Sequence, residues 1–308
     1  MSSASARIAV LVASKGRSDI LRDMIPWLNA QTLLPVSVTL AVTEPADADF
    51  DLAALLDPRI ASEVILSPPG SCRQRNAALD RVGPDIDYVV FWDDDFFPSR
   101  HALAALAEGF ARFPDVDGIT GDLIADGIGT PGIPQAEARR LLDDWDAARR
   151  DGARPAPRIT GDTFGLYGCN MAYRRARVAT LRFDERLPLY GWQEDVDFAR
   201  QLPGRRVEMT EFTGVHLGTK SGRETSGERL GYSQVVNPYY LWRKGTLSAG
   251  FSARLVLRNL LANAARSLKP EPWVDRKGRL RGNWIGLRAV LVGRANPEHI
   301  LNWPRAAR

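Results

Sequence analysis

The sequence of 308 residues predicts an α/β protein with a mostly parallel, Rossmann-like sheet flanked by helices. Short continuous apolar runs alternate with segments of helical spacing over the first 125 residues, which is typical of strands buried on both faces of such a sheet. The hydrophobic share of 44% and the charged share of 25% are ordinary for a globular protein with a sizeable core. Since no run reaches 18 apolar residues, we predict no transmembrane helix.

Five apolar runs are predicted to form the strands of this sheet: 8–13, 36–42, 64–66, 88–92 and 119–124. Helices are predicted between them, at 19–30, 71–79 and 99–113. In a parallel sheet, ligands bind beyond the carboxyl ends of the strands. The polar segments 14–17 and 93–95 follow two such ends, so we expect a ligand site there.

In the rest of the chain, the sequence pattern predicts an insertion, a strand followed by a loop, and a helical tail. The predicted elements are an insertion at 127–159 with a helix at 136–149, a strand at 207–215, a mobile polar loop at 217–229, and amphipathic helices at 251–268 and 284–292. The first of these amphipathic helices is predicted to present one apolar side, formed by Phe251, Leu255, Leu257, Leu261, Ala265 and Leu268. We therefore predict a main domain, residues 1–245, and a basic amphipathic helical C-terminal extension, residues 246–308.

The net charge of +4 is unevenly distributed along the chain. Residues 243–308 carry fourteen Lys and Arg against three Asp and Glu, a net charge of +11, so residues 1–242 carry −7. A basic helical tail favours either an anionic membrane surface or a solvated face that packs on the protein or on a partner. The tail lacks the interleaved aromatic and basic residues of nucleic-acid binding, so no nucleic-acid partner is predicted.

Cys72 and Cys169 match no metal-ligand spacing and are too few for a disulfide scaffold. The first seven residues are polar and lack the apolar core of a signal peptide. A cytoplasmic location is the natural reading of both features, with a peripheral position on the inner face of the cell membrane if the tail binds lipid.

Three consecutive carboxylates, Asp93, Asp94 and Asp95, follow the apolar run at 88–92. Adjacent carboxylates repel one another, and burying them unpaired is costly. A divalent cation with hard oxygen ligands would relieve this repulsion, and Mg²⁺ and Mn²⁺ often share such ligands with a diphosphate. The alternative is a solvated acidic turn, but its place after a buried strand favours a functional site.

A second acidic pair, Glu194 and Asp195, stands at the predicted start of a helix beside Trp192. Acids are common at helix starts because the helix dipole favours them there. A carboxylate beside an aromatic ring also suits a base that takes the proton of a sugar hydroxyl. Both interpretations remain open from this motif alone.

Two further features complete the set of candidates. Arg73, Arg75 and Asn76 lie near a predicted helix start, where cations suit nucleotide phosphates, although surface arginines are the equal alternative. His216 follows the strand predicted at 207–215, and it would add a ligand to an incomplete metal site formed by the aspartates.

In this order and spacing, the motifs resemble those of the family 2 inverting glycosyltransferases, which have a GT-A fold. Arg75-Asn76 resembles the Arg-Asn helix motif, the segment 89–95 resembles the strand that ends in the Asp-x-Asp motif, and the segment 168–175 resembles the central strand. The segments 183–185 and 190–195 resemble the acceptor-side motif with its Glu-Asp pair. The resemblance covers about residues 7–245.

The resemblance implies a metal-dependent transfer of a sugar from a nucleotide-diphosphate donor to a glycan or lipid-linked acceptor. Asp195 would be the general base, with Glu194 as the second candidate, and Asp95, Asp93 and His216 would bind Mn²⁺ or Mg²⁺. The donor would contact Arg17, Glu44, Arg73, Arg75, Asn76, Asp93 and Asp94. Trp192 and Asn170 would form the acceptor or sugar platform.

The nucleoside contacts are the weakest part of this match, because Thr43-Glu44-Pro45 stands where the family often has Asp-x-Ser. Asp47 and Asp49 are therefore alternatives to Glu44. A non-catalytic nucleotide-sugar-binding protein is the main rival function, and a nucleotidyltransferase is a weaker one because the segment 14–17 is thin for its phosphate loop. A homodimer stays open as the assembly.

Overall fold

The computed structural model describes residues 6–149, 154–220 and 227–303. Eleven strands are found in these ranges: β1 Ile8–Ala13, β2 Ser37–Val42, β3 Ala61–Leu66, β4 Tyr88–Asp93, β5 Phe96–Pro98, β6 Val116–Gly121, β7 Ala125–Asp126, β8 Ile159–Asp162, β9 Asn170–Arg174, β10 Arg205–Met209 and β11 Gly214–His216. The α-helices there are α1 Ser18–Asn29, α2 Leu52–Leu55, α3 Ser71–Leu79, α4 Ala102–Arg112, α5 Gln135–Ala147, α6 Arg175–Val178, α7 Glu194–Arg200, α8 Gly227–Lys244, α9 Ala249–Arg266 and α10 Arg276–Leu291.

The main sheet has eight strands in the order β3-β2-β1-β4-β9-β6-β10-β8. The pairs of β1 with β2 and β4, of β2 with β3 and of β6 with β10 are parallel, whereas β9 and β8 run antiparallel to their neighbours. The buried apolar residues of β1, β2 and β4 form the centre of the core with α1 and α4. The predicted α/β class with a mostly parallel sheet flanked by helices is therefore confirmed.

Strand β1 lies between β2 and β4, with Ala13 opposite Ala41 on one side and Asp93 on the other. Because all three strands are parallel, their carboxyl ends share one edge of the sheet. This register brings the loop after β1 to the triple aspartate, as the sequence predicts.

A second sheet of three strands has the order β5-β11-β7. The prediction of one strand over residues 207–215 is wrong, because β10 ends at Met209 in the main sheet and β11 starts at Gly214 in the small one. The turn between them contains Glu211 with a positive φ of 70°. This break moves His216 away from the main sheet and places it beside β5 and β7.

The chain divides into two compact units. The first comprises Met1–Pro69, Arg73–Arg182 and Phe198–Thr219, and it contains both sheets. The second comprises Gly70–Cys72, Phe183–Asp197 and Lys220–Arg308, with α8, α9 and α10 as its main helices. The division into domains 1–245 and 246–308 stays a prediction.

Glycines bring α8 and α10 unusually close together within the second unit. A side-chain carbon added at Gly282 would collide with the carbonyl oxygen of Glu228, and one added at Gly231 would collide with the backbone of Arg279. A buried polar network lies beside this contact, in which Asn263 Nδ2 donates to Gln234 Oε1 at 2.9 Å and to Asn283 Oδ1 at 2.8 Å. Close packing of the two helix backbones and side-chain hydrogen bonds therefore hold these helices together, in addition to the burial of apolar side chains.

The tail helices differ in two ways from their predictions. Helix α10 begins at Arg276, eight residues before the predicted start. The prediction began too late because the first turns of the helix are polar and glycine-rich and show no apolar pattern. The apolar residues predicted on one side of α9 do not share one environment: Leu255 is buried, Leu257 and Leu261 are exposed, and Leu268 lies beyond the end of α9 at Arg266. The loop predicted at 217–229 falls partly outside the described residues, at 221–226, and its last three residues belong to α8. Among the described residues, no helix is long and apolar enough to cross a membrane.

We expect Gly282→Val to lower the melting temperature of the second unit, because overpacking a close helix contact typically costs about 1–3 kcal/mol. The control is Gly250→Ala in α9, because a side-chain carbon added at Gly250 meets no atom within 4 Å and Ala favours a helix more than Gly does. Differential scanning fluorimetry of both variants checks this. A Gly282→Val variant that melts at the wild-type temperature would contradict the close contact.

Candidate functional site

The triple aspartate lies where β4 leaves the main sheet. Asp93 is the last residue of β4, and its side chain is 37% exposed, whereas Asp94 and Asp95 are only 4% and 3% exposed. Two buried carboxylates beside a third require compensating charge, because the interior screens their repulsion poorly. The contacts of each aspartate show where this charge comes from.

Asp93, Asp95 and His216 form a group that could hold a metal ion. Each offers one ligand atom, and these atoms lie within 4.8 Å of one another. The register of the small sheet explains the proximity, since His216 pairs with Phe96, the residue after Asp95, and with Asp126 on the other side. Two carboxylates and an imidazole form a donor set that suits Mn²⁺.

Asp126 orients this histidine and was not found by sequence reasoning. Its Oδ1 lies 2.8 Å from His216 Nδ1, while His216 Nε2 lies 3.4 Å from Asp95 Oδ1. Asp126 in turn accepts hydrogen bonds from Ile128 N at 2.9 Å and from Tyr167 Oη at 2.9 Å. A carboxylate that orients a histidine from behind is the usual support of a metal-ligating imidazole.

The two carboxylates change the protonation of His216. Burial alone would lower the pKa of His216, but the neighbouring Cys169, Asp126 and Asp95 raise it far above its ordinary value. Burial would likewise raise the pKa of Asp95, but His216 and Arg17 lower it instead. These neighbours therefore favour the protonated form of the imidazole. It would have to release a proton to become a metal ligand.

Asp94 contacts the loop after β1. Ser14 Oγ donates to its Oδ2 at 2.6 Å, and Arg17 Nη1 donates to its Oδ1 at 2.8 Å. Burial raises the pKa of Asp94 to about 6, against the opposing charge of Arg17. Arg17 also lies 3.9 Å from Asp95 Oδ2 and donates to the carbonyl oxygen of Thr219 at 3.3 Å. This arginine therefore joins the loop after β1 to the aspartates and to the segment that follows β11.

Helix α3 supplies the second cation. Arg75 Nη2 donates to Asp93 Oδ1 at 2.9 Å and to the carbonyl oxygen of Gly168 at 3.2 Å, and its side chain is buried. Asn76 is buried beside it, and Arg73 is half-buried. Gln74 was not predicted, yet its amide donates to the backbone oxygens of Ser14 and Ala41, which fixes the ends of β1 and β2.

The acidic residues after β2 have different environments. Glu44 is exposed and caps the 3₁₀ turn Pro45–Ala48. Asp47 is buried and accepts hydrogen bonds from Gly16 N at 2.6 Å and from Thr43 Oγ1 at 2.6 Å. Although burial opposes its ionisation, these hydrogen bonds lower the pKa of Asp47. Asp47 thus ties the loop after β2 to the loop after β1, and Glu44 remains the accessible acid.

Asn170 is fully buried at the start of β9. Its amide accepts from Trp92 Nε1 and donates to the carbonyl oxygen of Phe212, both at 2.8 Å. These bonds connect β4, β9 and the turn before β11, which accounts for an asparagine at this position. The contact of Asn170 with the acceptor stays a prediction.

Glu194 and Asp195 belong to the second unit, at the start of α7. Glu194 is buried, and Asp195 is half-buried with its Oδ1 accepting from Val196 N at 2.7 Å. The preceding loop holds half-buried Trp192 and two non-glycine residues with positive φ, Leu189 at 59° and Gln193 at 76°. Such conformations cost about 1–3 kcal/mol each and cluster at functional sites.

No protein-family model and no curated protein matches this sequence. Solved structures do match its fold. The mannosyltransferase PcManGT from Pyrobaculum calidifontis, in complex with GDP-Man and Mn²⁺, has 18% identity and a TM-score of 0.53, over 97% of this chain and 79% of that chain. The fold is of the GT-A type.

S. aureus TarS shows the same likeness. Its fragment 1–349 matches over 96% of this chain and 82% of that chain, with 14% identity and a TM-score of 0.57. The fragment in complex with UDP-GlcNAc matches with 15% identity and a TM-score of 0.53, over 89% of this chain and 78% of that chain. The match to the longer TarS structure spans 86% of this chain but only 46% of that chain, with 14% identity and a TM-score of 0.53. At these identities the comparisons show the fold alone.

We expect Asp126→Asn to weaken Mn²⁺ binding by about 10–100-fold, because His216 loses the carboxylate that orients it. Isothermal titration calorimetry with MnCl₂ measures this directly. Asp162→Asn is the matched control, since Asp162 is exposed on β8 and paired with Arg205. Equal Mn²⁺ affinity in the Asp126 variant and the wild type would exclude this orienting role.

Proposed function

We propose that this protein is a metal-dependent inverting glycosyltransferase of the family 2 type. It would move a sugar from a nucleotide-diphosphate donor to a hydroxyl group of a glycan or lipid-linked acceptor. The observation that carries the proposal is the group of Asp93, Asp95 and His216 at the carboxyl edge of the sheet. PcManGT, which shares the fold, binds GDP-Man and Mn²⁺, and TarS binds UDP-GlcNAc, so a nucleotide sugar is the donor that the fold favours.

The donor set fits a divalent cation. Asp93 and Asp95 supply hard oxygen atoms, and His216, oriented by Asp126, supplies a nitrogen atom. Imidazole favours Mn²⁺ over Mg²⁺, so we expect Mn²⁺ to bind more tightly. When bound, the cation would neutralise charge on the diphosphate of the donor.

The arginines extend this reasoning to the donor. Arg17 and Arg75 each pair with one of the aspartates. A cation bound by Asp93 and Asp95 would take over the charge compensation of Asp93 and leave the guanidinium group of Arg75 available to phosphate oxygens, while Arg17 is a proposed donor contact that stays paired with Asp94. Arg73 and Asn76 on α3 and the exposed Glu44 are the further proposed donor contacts.

Asp195 is proposed as the general base, with Glu194 as the second candidate. The acceptor hydroxyl oxygen attacks the anomeric carbon, and its proton passes to the Asp195 carboxylate. The bond from the anomeric carbon to the phosphate oxygen breaks, and its electron pair leaves with the nucleoside diphosphate. One displacement from the opposite face inverts the configuration at this carbon. Trp192 is proposed to pack against a sugar ring.

We expect Asp195→Asn to lower turnover at least 1,000-fold while the donor affinity in Mn²⁺ stays within threefold of the wild type. The amide keeps the shape but accepts no proton. UDP- and GDP-sugars are first screened by thermal shift with and without Mn²⁺, and turnover is then measured as release of nucleoside diphosphate. Glu194→Gln is the comparison that separates the two candidate bases.

The rival functions give different results in the same assays. A non-catalytic binder would bind a nucleotide sugar with Mn²⁺ but release no nucleoside diphosphate with any donor. A nucleotidyltransferase would release pyrophosphate from a nucleoside triphosphate. If no nucleotide raises the melting temperature of the protein in the presence of Mn²⁺, the proposed donor site is wrong.

The C-terminal helices support a proposal about location. Leu257 and Leu261, one turn apart, form an exposed stripe on α9, with exposed fractions of 56% and 61%, and Leu268, just beyond the end of α9, is 91% exposed. Arg254 and Arg258 are exposed beside this stripe, and α10 exposes Trp284 at 62%. Exposed apolar residues flanked by arginines suit the surface of an anionic membrane. We propose a peripheral contact with the inner face of the cell membrane, and hence a cytoplasmic site of action.

We expect the protein to sediment with vesicles that contain phosphatidylglycerol and not with pure phosphatidylcholine vesicles. Replacing Leu257, Leu261 and Leu268 together by Ser should reduce this binding at least tenfold. The control is Leu66→Ser on β3, a leucine that is 63% exposed. No binding of the wild type to anionic vesicles would exclude the membrane contact. A dimer in size-exclusion chromatography that the triple variant loses would instead assign the stripe to a second copy of the chain.

A further inference from the structure

A buried acidic cluster in the second unit lies on the helix that carries the proposed base. Asp197 is 0% exposed, yet its carboxylate stands on α7 two residues after Asp195. Its Oδ2 accepts from Lys244 Nζ at 2.7 Å, and its Oδ1 accepts from Thr246 Oγ1 at 2.8 Å. Both oxygens are therefore held by groups at and just beyond the end of α8.

Lys244 also connects Asp197 to a second carboxylate. Lys244 Nζ donates to Asp184 Oδ2 at 2.8 Å, and Tyr240 Oη donates to the same oxygen at 2.8 Å. One ammonium group thus holds residues 184 and 197, which are thirteen positions apart along the chain. The segment between them contains Trp192, Glu194 and Asp195.

This segment has a backbone that would not persist without support. Leu189 and Gln193 have positive φ, as does Gly191 at 66°. For the two non-glycine residues, such conformations are retained only where the surrounding structure over-determines them. Asn237 on α8 supplies another constraint, since its Nδ2 donates to the carbonyl oxygen of Trp192 at 2.9 Å.

We propose that Lys244 is a positioning residue: through Asp197 and Asp184 it holds the strained segment at both ends and so fixes Glu194 and Asp195. This inference rests on the proposed function of that pair. It assigns no contact with substrate to Lys244. The physical reason is that a buried carboxylate cannot leave a cation that compensates it without a large desolvation penalty, so the start of α7 cannot shift independently of α8.

The test compares Lys244→Met, Lys244→Arg and Thr246→Val with Arg243→Met, the neighbouring cation on the same helix. Turnover is measured as release of nucleoside diphosphate from the sugar donor that the wild type uses. Calorimetric titration with that donor in Mn²⁺ gives the donor affinity and the number of binding-competent sites. We expect Lys244→Met to lower kcat per binding site at least tenfold with donor affinity within threefold, and Thr246→Val to lower it at least threefold. Lys244→Arg should recover part of the loss, and Arg243→Met should keep the wild-type kcat.

Lys244→Met leaves Asp197 buried without its lysine, so this variant alone could fail to fold. Thr246→Val and Lys244→Arg keep the ion pair and decide the question in that case. The inference is overturned if the variants that fold melt at a lower temperature but keep a kcat per binding site within twofold of the wild type. The cluster would then have only a structural role. If Asp195→Asn keeps full turnover, the proposed base is itself wrong, which is a separate result from unchanged kcat in the Lys244 and Thr246 variants.

Discussion

The compensation of buried carboxylates at the edge of the main sheet is the constraint on which the first unit depends. Asp94 and Asp95 lie in the protein interior beside Asp93, and three neighbouring negative charges would repel one another strongly there. The loop after β1 brings Arg17, helix α3 brings Arg75, and β11 brings His216. Each cation comes from a different element, so the charge balance and the topology of this unit support each other.

The same arrangement explains why the aspartates divide into two groups. Asp94 is held by Ser14 and Arg17 and therefore connects the loop after β1 to the end of β4, while its contact with the donor stays a prediction. Asp93 is partly exposed, and together with Asp95 and His216 it offers ligand atoms on one side. A metal ion can replace the compensating charge at this second group without disturbing the first. The partners of each carboxylate, rather than its burial, therefore distinguish Asp94 from the two proposed metal ligands within one acidic run.

The sequence predicts those parts of the fold and site that follow from local patterns. The apolar runs of β1 and β4, the triple aspartate after β4 and the helix with Arg75 are all visible as short motifs. The position of Asp126 is not, because it depends on the pairing of two-residue β7 with three-residue β11 across ninety residues. Strands this short carry too little periodicity to be recognised, and the break between β10 and β11 needs Glu211 in a left-handed conformation, which residue type alone does not indicate. The helix contact of α8 with α10 was also missed, since glycines and amides form it where amphipathic patterns point to leucines.

The cluster at the edge of the main sheet and the cluster around Asp197 follow one electrostatic rule with different consequences. The carboxylate of Asp197 is fully enclosed and its charge is compensated by Lys244, whose side chain is 27% exposed, so removing this cation would leave a buried charge uncompensated. The cluster of Asp93, Asp95 and His216 includes a partly exposed carboxylate, and a histidine that ligates a metal there would have to be neutral. Exchange of charge partners is possible only where solvent and ligands can reach the group. The partial exposure of Asp93 thus distinguishes the proposed binding site from the enclosed carboxylate of Asp197.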